Sequence, residues 1–256
     1  MTGMQLTLDG RVALVTGASR GIGAAIARTL GRHGAFVGVN YHRNGALARQ
    51  VVEAIEAEGG GAVALQADVR DEQQVGSIHR ELSERAGPVD TVVLNAVSSS
   101  GFRPSPLHEL DDSVIADMTT DHLRLCLGPV RALVPSMIKN GGGSITVIGS
   151  EVARHPITGM GTISVAKSAV AAVVRSLALE LGPRGVRVNL VAPGMVRTEL
   201  SNFIPERERA AMVEATPLGR IATPDDVAGA VLMMASGHAG FVTGVDLAVQ
   251  GGARIG

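Results

Sequence analysis

The sequence has no tryptophan, four phenylalanines and a single tyrosine, Tyr41. With aromatic residues at 2% of 256, the core must be built from Ala, Val, Leu, Ile and Met, and stacking platforms for nucleic acid are not expected. One cysteine, Cys126, excludes an intrachain disulfide and fits a reducing, cytoplasmic location. Its place in the apolar run Leu125-Cys126-Leu127 predicts a buried filler rather than a reactive thiol. An excess of one charge is also missing: a net charge of −1 gives no electrostatic reason to expect nucleic acid or an anionic membrane as partner. No uncharged apolar run approaches the roughly 20 residues of a membrane span. No basic segment leads into an apolar one at the start, so no signal peptide is expected. Lysine is scarce, with Lys139 and Lys167 alone among 23 basic residues.

What the sequence has in quantity is apolar residues, at 45%. Short β-branched runs alternate with longer helical patterns. Strands are expected at Val12–Thr16, Phe36–Asn40, Ala62–Gln66, Thr91–Leu94, Ser144–Ile148, Arg187–Val191 and Val245–Val249. Helices are expected at Gly21–His33, Leu47–Ala57, Glu72–Arg85, Asp112–Ile138, Ile163–Leu181 and Asp225–Ala235. Repeated βαβ units predict an α/β fold: one parallel sheet of about seven strands with helices on both faces, in a single domain spanning 1–256. Pro129 and Pro135 fall inside the fourth helix, where each removes a backbone donor, so a kink or an interruption is expected. The stretch Arg197–Arg220, charged and containing Pro205 and Pro217, is expected to form a small helical insert over the site.

The first strand runs into Thr16-Gly17-Ala18-Ser19-Arg20-Gly21-Ile22-Gly23, which opens a helix. Glycines let a backbone approach a pyrophosphate, and the helix start offers it N–H groups and a positive dipole end. The spacing Gly-x-x-x-Gly-x-Gly resembles that of the short-chain dehydrogenase/reductase family, and the resemblance extends over nearly the whole chain. Asp68-Val69 resembles the family's adenine-contacting pair. Asn95-Ala96 matches half of its Asn-Asn-Ala-Gly motif, with Leu94 and Val97 in the outer positions. Pro193-Gly194-Met195-Val196-Arg197-Thr198 resembles its nicotinamide-side segment. Gly244 and Gly251-Gly252 match a pattern common in its 3-oxoacyl-carrier-protein reductases. The resemblance implies a Rossmann-like doubly wound fold and a nicotinamide cofactor held by Gly17, Ser19, Arg20, Gly21, Ile22, Gly23, Asp68, Val69, Asn95, Ala96, Lys167, Pro193, Gly194, Val196 and Thr198. It also implies a dimer or tetramer, through paired helices and a C-terminal segment that here would involve Arg154, Ile157 and the end Ala253–Gly256.

Enzymes that use NAD place an acid at the end of the second strand, on the ribose 2′-hydroxyl. Here Asn40 stands there, followed by Tyr41-His42-Arg43. With no acid to repel a 2′-phosphate, and with Arg20 and Arg43 to attract one, NADP(H) is expected over NAD(H).

The chemical end departs from the family. Ser150 and Lys167 match its serine and lysine, but the tyrosine position, thirteen residues after Ser150 and four before Lys167, holds Ile163. The family's tyrosine donates the proton to the substrate carbonyl. Counting back from Ser150, its helix asparagine falls on His122. His122, Glu151 and His155 are the candidates near the pocket for a substitute acid, and His122 is open to two readings, an acid titrating near neutrality or a satisfied helix histidine. His155 is expected to line the substrate or face solvent, and Glu151 to be a surface acid. Three functions remain open. The chain is a slow NADP(H)-dependent reductase of a 3-oxoacyl or polyketide-like substrate, free or carrier-bound. Or it is a redox-neutral cyclase, dehydratase or isomerase in the same pocket. Or it is an inactive subunit that pairs with an active paralogue in a hetero-oligomer.

Overall fold

In the computed structural model, residues 6–98, 102–201 and 204–254 are described. Residues 202 and 203 of the expected insert, and the last two of the C-terminal segment, lie outside that set. Seven parallel strands form one sheet in the order β3-β2-β1-β4-β5-β6-β7. They are β1 (Val12–Val15), β2 (Phe36–Tyr41), β3 (Gly61–Gln66), β4 (Thr91–Leu94), β5 (Gly143–Ile148), β6 (Val186–Pro193) and β7 (Asp246–Val249). The expected strands are all present, with ends shifted by a residue or two. The helices are α1 (Gly21–Arg32), α2 (Gly45–Ala57), α3 (Glu72–Ala86), α4 (Asp112–Lys139), α5 (Gly161–Leu181), α6 (Glu206–Glu214) and α7 (Pro224–Ala235).

Two apolar layers sandwich the sheet. On one face Val75, Ile78 and Leu82 of α3, Leu133 and Met137 of α4, and Val170 and Val174 of α5 pack against Leu14, Val92, Ile145 and Val188. On the other, Ile26 and Leu30 of α1, Val51 and Ile55 of α2, and Val227 and Val231 of α7 pack against Val15, Val37, Val93 and Val191. The largest side chains that are nearly fully buried are Leu, Ile and Met, as the scarcity of aromatics requires. The fold is doubly wound, and its strand order reverses between β1 and β4. The crevice beyond the carboxyl ends of those strands is where such sheets bind ligands.

The interruption expected at Pro129 and Pro135 is absent. Helix α4 runs without a break through Pro129 and Pro135. Proline's fixed φ is already helical, and each ring removes a single donor from a helix of 28 residues whose other turns hold it. Residues 161–184, with a mean hydropathy of 1.5, form a helical stretch long and apolar enough to cross a membrane. Lys167 interrupts its apolar run, however, and Val170, Val174 and Leu177 pack in the core.

Candidate functional site

The glycine turn between β1 and α1 is clamped from β4. Thr16 Oγ1 accepts from the backbone N–H of Asn95 and Ala96, at 2.9 and 3.0 Å. Asn95 Nδ2 donates to the carbonyls of Thr16 and Gly17, both at 3.0 Å. Gly17 has φ +61, and a Cβ there would stand 2.9 Å from Ala96 Cα. At Gly23 a Cβ would lie 2.4 Å from the Gly17 carbonyl and 2.5 Å from Asn95 Nδ2. These two glycines are therefore required by packing. Gly21 is different: at φ +57 its Cβ would meet only Thr198 Cγ2, at 3.8 Å, so the turn is open on that side. Helix α1 starts at Arg20 with no side-chain cap and no acid in its first turn. An uncapped N-terminus beside a glycine facing open space fits a pyrophosphate. Thr198, at the end of the Pro193–Thr198 segment, borders this opening. Gly194 N–H donates to Val249 O, and Val196 bridges to Ala222. Exposed Arg20 stands 3.6 Å from Glu199.

Asn40 is not where the cofactor reading put it. Its side chain is 2% exposed and wholly used by the protein. Oδ1 accepts from Gly17 N–H at 3.2 Å, while Nδ2 donates to the carbonyls of Leu65 and Ala67, both at 3.2 Å. Asn40 ties the glycine turn to the end of β3 and presents nothing to a ribose. The exposed residues there are His42 and Arg43.

Asp68 and Val69 follow β3. Val69 is buried against α4, where Gly128 leaves no room for a Cβ beside the Val69 carbonyl. The Asp68 carboxylate is engaged by Arg70, whose Nη2 stands 2.7 Å away, and that bond holds the carboxyl below its ordinary range. Arg70 Nη1 also donates to Asp121 on α4 at 3.1 Å. His42 Nε2 lies 4.0 Å from Asp68. Sequence reasoning missed Arg70, and its only signal was its place directly after Asp68-Val69.

At the chemical end, Ser150 follows β5. Its Oγ accepts from Val152 N–H at 3.3 Å, which leaves its own O–H to donate. Lys167 reaches back from α5 under that strand end, and its Nζ donates to Ile148 O at 3.0 Å. Burial lowers its pKa from 10.5 to about 8. His122 lies on α4 with Nδ1 3.0 Å from Met118 O. Burial, and after it the Lys167 charge, push its pKa below the ordinary value. The protonated form is disfavoured, and with Nδ1–H facing the carbonyl, Nε2 is an acceptor. Cys126, one turn along α4, is buried near the same lysine. Burial raises its thiol pKa to about 11, so the expectation of an inert thiol agrees with its surroundings. No spacing or motif signals that Cys126 and Lys167 are neighbours. Ile163 sits half-buried in the first turn of α5.

Glu151, expected at the surface, is 6% exposed, and neither carboxylate oxygen has a hydrogen bond among the described residues. The short turn Glu151–Ala153 that begins at Ser150 packs on α5 and carries the side chain inward. His155 Nε2 stands 3.6 Å from Glu151 Oε2. No group of three or more metal-ligating side chains occurs among the described residues.

A family model described as Enoyl-(Acyl carrier protein) reductase matches residues 17–254. An uncharacterized oxidoreductase of Methylorubrum extorquens is 40% identical over 256 residues, covering 96% of this chain and 99% of its own length. The 3-oxoacyl-[acyl-carrier-protein] reductase of Pseudomonas aeruginosa is 34% identical over 247 residues, with coverage of 96% and 98%. Among solved structures, 7α-hydroxysteroid dehydrogenase complexed with NADH and 7-oxoglycochenodeoxycholic acid superposes with a TM-score of 0.87 at 34% identity. It covers 96% of this chain and 95% of that one.

Proposed function

The chain belongs to the short-chain dehydrogenase/reductase family, and from that premise we propose that it is a slow NADP(H)-dependent reductase of a 3-oxoacyl thioester or polyketide-like ketone. The observation that carries this reading is Lys167, buried beneath the strand end that bears Ser150 and held there by Ile148 O. A buried lysine costs stability, and the family resemblance gives this one a use, on the nicotinamide ribose.

In this proposal the open glycine turn Gly17–Gly23 receives the pyrophosphate through the N–H groups of Gly21 and Ile22. Ser19 and Ala96 border the turn. Val69 closes the adenine side, and Pro193, Gly194, Val196 and Thr198 close the nicotinamide side. Arg20 and Arg43 attract a 2′-phosphate. The Asn40 amide takes no part, and Asp68 acts with Arg70 attached. When bound, the reduced nicotinamide supplies hydride. Ser150 O–H donates to the substrate carbonyl oxygen and holds it. His122 Nε2 accepts from the lysine side of the pocket, which suits a proton relay better than a direct acid. Ile163 contributes no proton. General acid catalysis is worth about 10²–10⁴-fold, so its loss slows the reaction without abolishing it. The enzyme works as a homo-oligomer in the cytoplasm.

The test measures binding of NADPH and NADH, and then their consumption with acetoacetyl thioesters and cyclic ketones. Tighter NADPH binding with slow turnover is expected. Product formation without a change in NADPH absorbance would favour a redox-neutral enzyme. Cofactor binding with no turnover, together with copurification of a tyrosine-containing relative, would favour an inactive partner subunit.

A further inference from the structure

Among the described residues, Glu151 has both carboxylate oxygens buried without a hydrogen bond. A carboxylate that is nine-tenths buried and unbonded is destabilising in a folded protein, and proteins keep such groups where they serve chemistry. Its ion-pair partner among the described residues is His155 Nε2, at 3.6 Å. Glu151 directly follows Ser150 in the chain, and His155 lies one helical turn further on. The loop that carries His155 is fixed at both ends. Arg154 Nη2 donates to Asp246 O at 2.8 Å and pairs with its carboxylate at 3.0 Å, which ties the loop to β7. Ser105 N–H donates to Gly159 O at 3.2 Å, which ties it to the segment after β4. The imidazole is partly exposed, and its Nδ1 makes no hydrogen bond among the described residues.

We propose that His155, oriented by Glu151, is the proton donor that replaces the missing tyrosine. The assignment rests on the reductase reading. A buried carboxylate 3.6 Å from Nε2 is beyond hydrogen-bond length and acts on the ring through its charge, which favours the proton on Nε2 and turns that edge toward Glu151, the orienting part that a triad carboxylate plays for its histidine, here with the two ring nitrogens exchanged. Nδ1 is then the ring nitrogen left for a substrate. As hydride from the dihydronicotinamide forms the new C–H bond, the carbonyl π electrons pass to oxygen. The Nδ1–H bond of the imidazolium breaks, and its proton forms the hydroxyl. The neutral ring regains a proton from solvent. His155 is thus a catalytic residue and Glu151 a positioning residue. The charged groups that pair with this loop among the described residues are Glu151, on His155, and Asp246, on Arg154.

The test has two arms. In the ligand-free protein, ¹⁵N-resolved NMR of the His155 ring is expected to show the Nε2–H tautomer when the ring is neutral, and Glu151→Gln is expected to lose that preference. In the reductase assay, His155→Phe is expected to lower kcat about 10²-fold with little change in KM, and to remove the imidazole limb of the pH–rate profile. Glu151→Gln is expected to lower kcat about 10-fold. In an Ile163→Tyr background, His155→Phe is expected to have no effect on kcat, because the phenol takes over. Ketone reduction that is indifferent to His155→Phe in the native background, or a ring tautomer unchanged in Glu151→Gln, overturns the donor assignment alone. No reduction by either the native protein or Ile163→Tyr overturns the reductase reading and the donor assignment together.

Discussion

At the residue scale, the two side chains whose roles changed most are Asn40 and Glu151, and both changed because the direction of a side chain is not written in its neighbours. Asn40 stands where an acid would select NAD, so the sequence suggested a ribose contact. Its alternation along β2 turns it into the protein, where backbone groups of Gly17, Leu65 and Ala67 use its amide. Glu151 was expected at the surface because acids usually are, and a short turn carries it inward instead. Ile163, by contrast, was legible at once, since an absent phenol needs no coordinates. The new role for Asn40 has a measurable consequence. Asn40→Ala breaks the tie between the glycine turn and β3 and leaves buried carbonyls unpaired, so it is expected to lower stability by about 2–3 kcal/mol. NADPH and NADH binding should weaken by the same factor. Denaturant unfolding and parallel titrations check this, and a change in the NADPH/NADH preference would contradict it.

At the scale of elements, the strands and helices were readable because β-branched runs and helical apolar spacing alternate cleanly. The prolines of α4 suggested a kink or an interruption, and the interruption is absent because a local breaker signal was outweighed by a long helix held along its length. Two elements together make the chemical end. Helix α5 carries Lys167 under the end of β5, and α4 brings His122 and Cys126 to the same lysine. This convergence could not be counted from sequence spacing. It has a pH signature. The folded protein lowers the Lys167 pKa from 10.5 to about 8, so between those values the unfolded chain binds more protons and stability rises with pH. The contribution is fully present above 10.5 and lost as pH falls through 8; it is on the order of 3 kcal/mol across that window. Lys167→Met removes it. The stability of the variant relative to the native protein is therefore expected to be greatest at pH 7 and to shrink toward pH 11, as followed by urea unfolding. A pH-independent difference would show that the lysine is not buried as described.

At the scale of the whole molecule, the doubly wound sheet explains why the cofactor end stayed recognisable while the chemical end did not. The reversal of strand order between β1 and β4 creates the crevice, and its lining is largely backbone: the glycine turn, the Asn95–Thr16 clamp and the start of α1. Backbone geometry leaves a spacing signature in glycines. Proton handling depends instead on single side chains contributed by β5, α4, α5 and the loop between Ser150 and α5, and one substitution changes it without disturbing the frame. The account therefore separates binding a nicotinamide from reducing a ketone by the family's usual donor. The most direct measurement is the rate of NADPH-linked reduction of an acetoacetyl thioester by the native protein and by Ile163→Tyr. The account predicts slow but real turnover in the native protein and a rate about 10²-fold higher or more in the variant. No NADPH oxidation by either protein would contradict it.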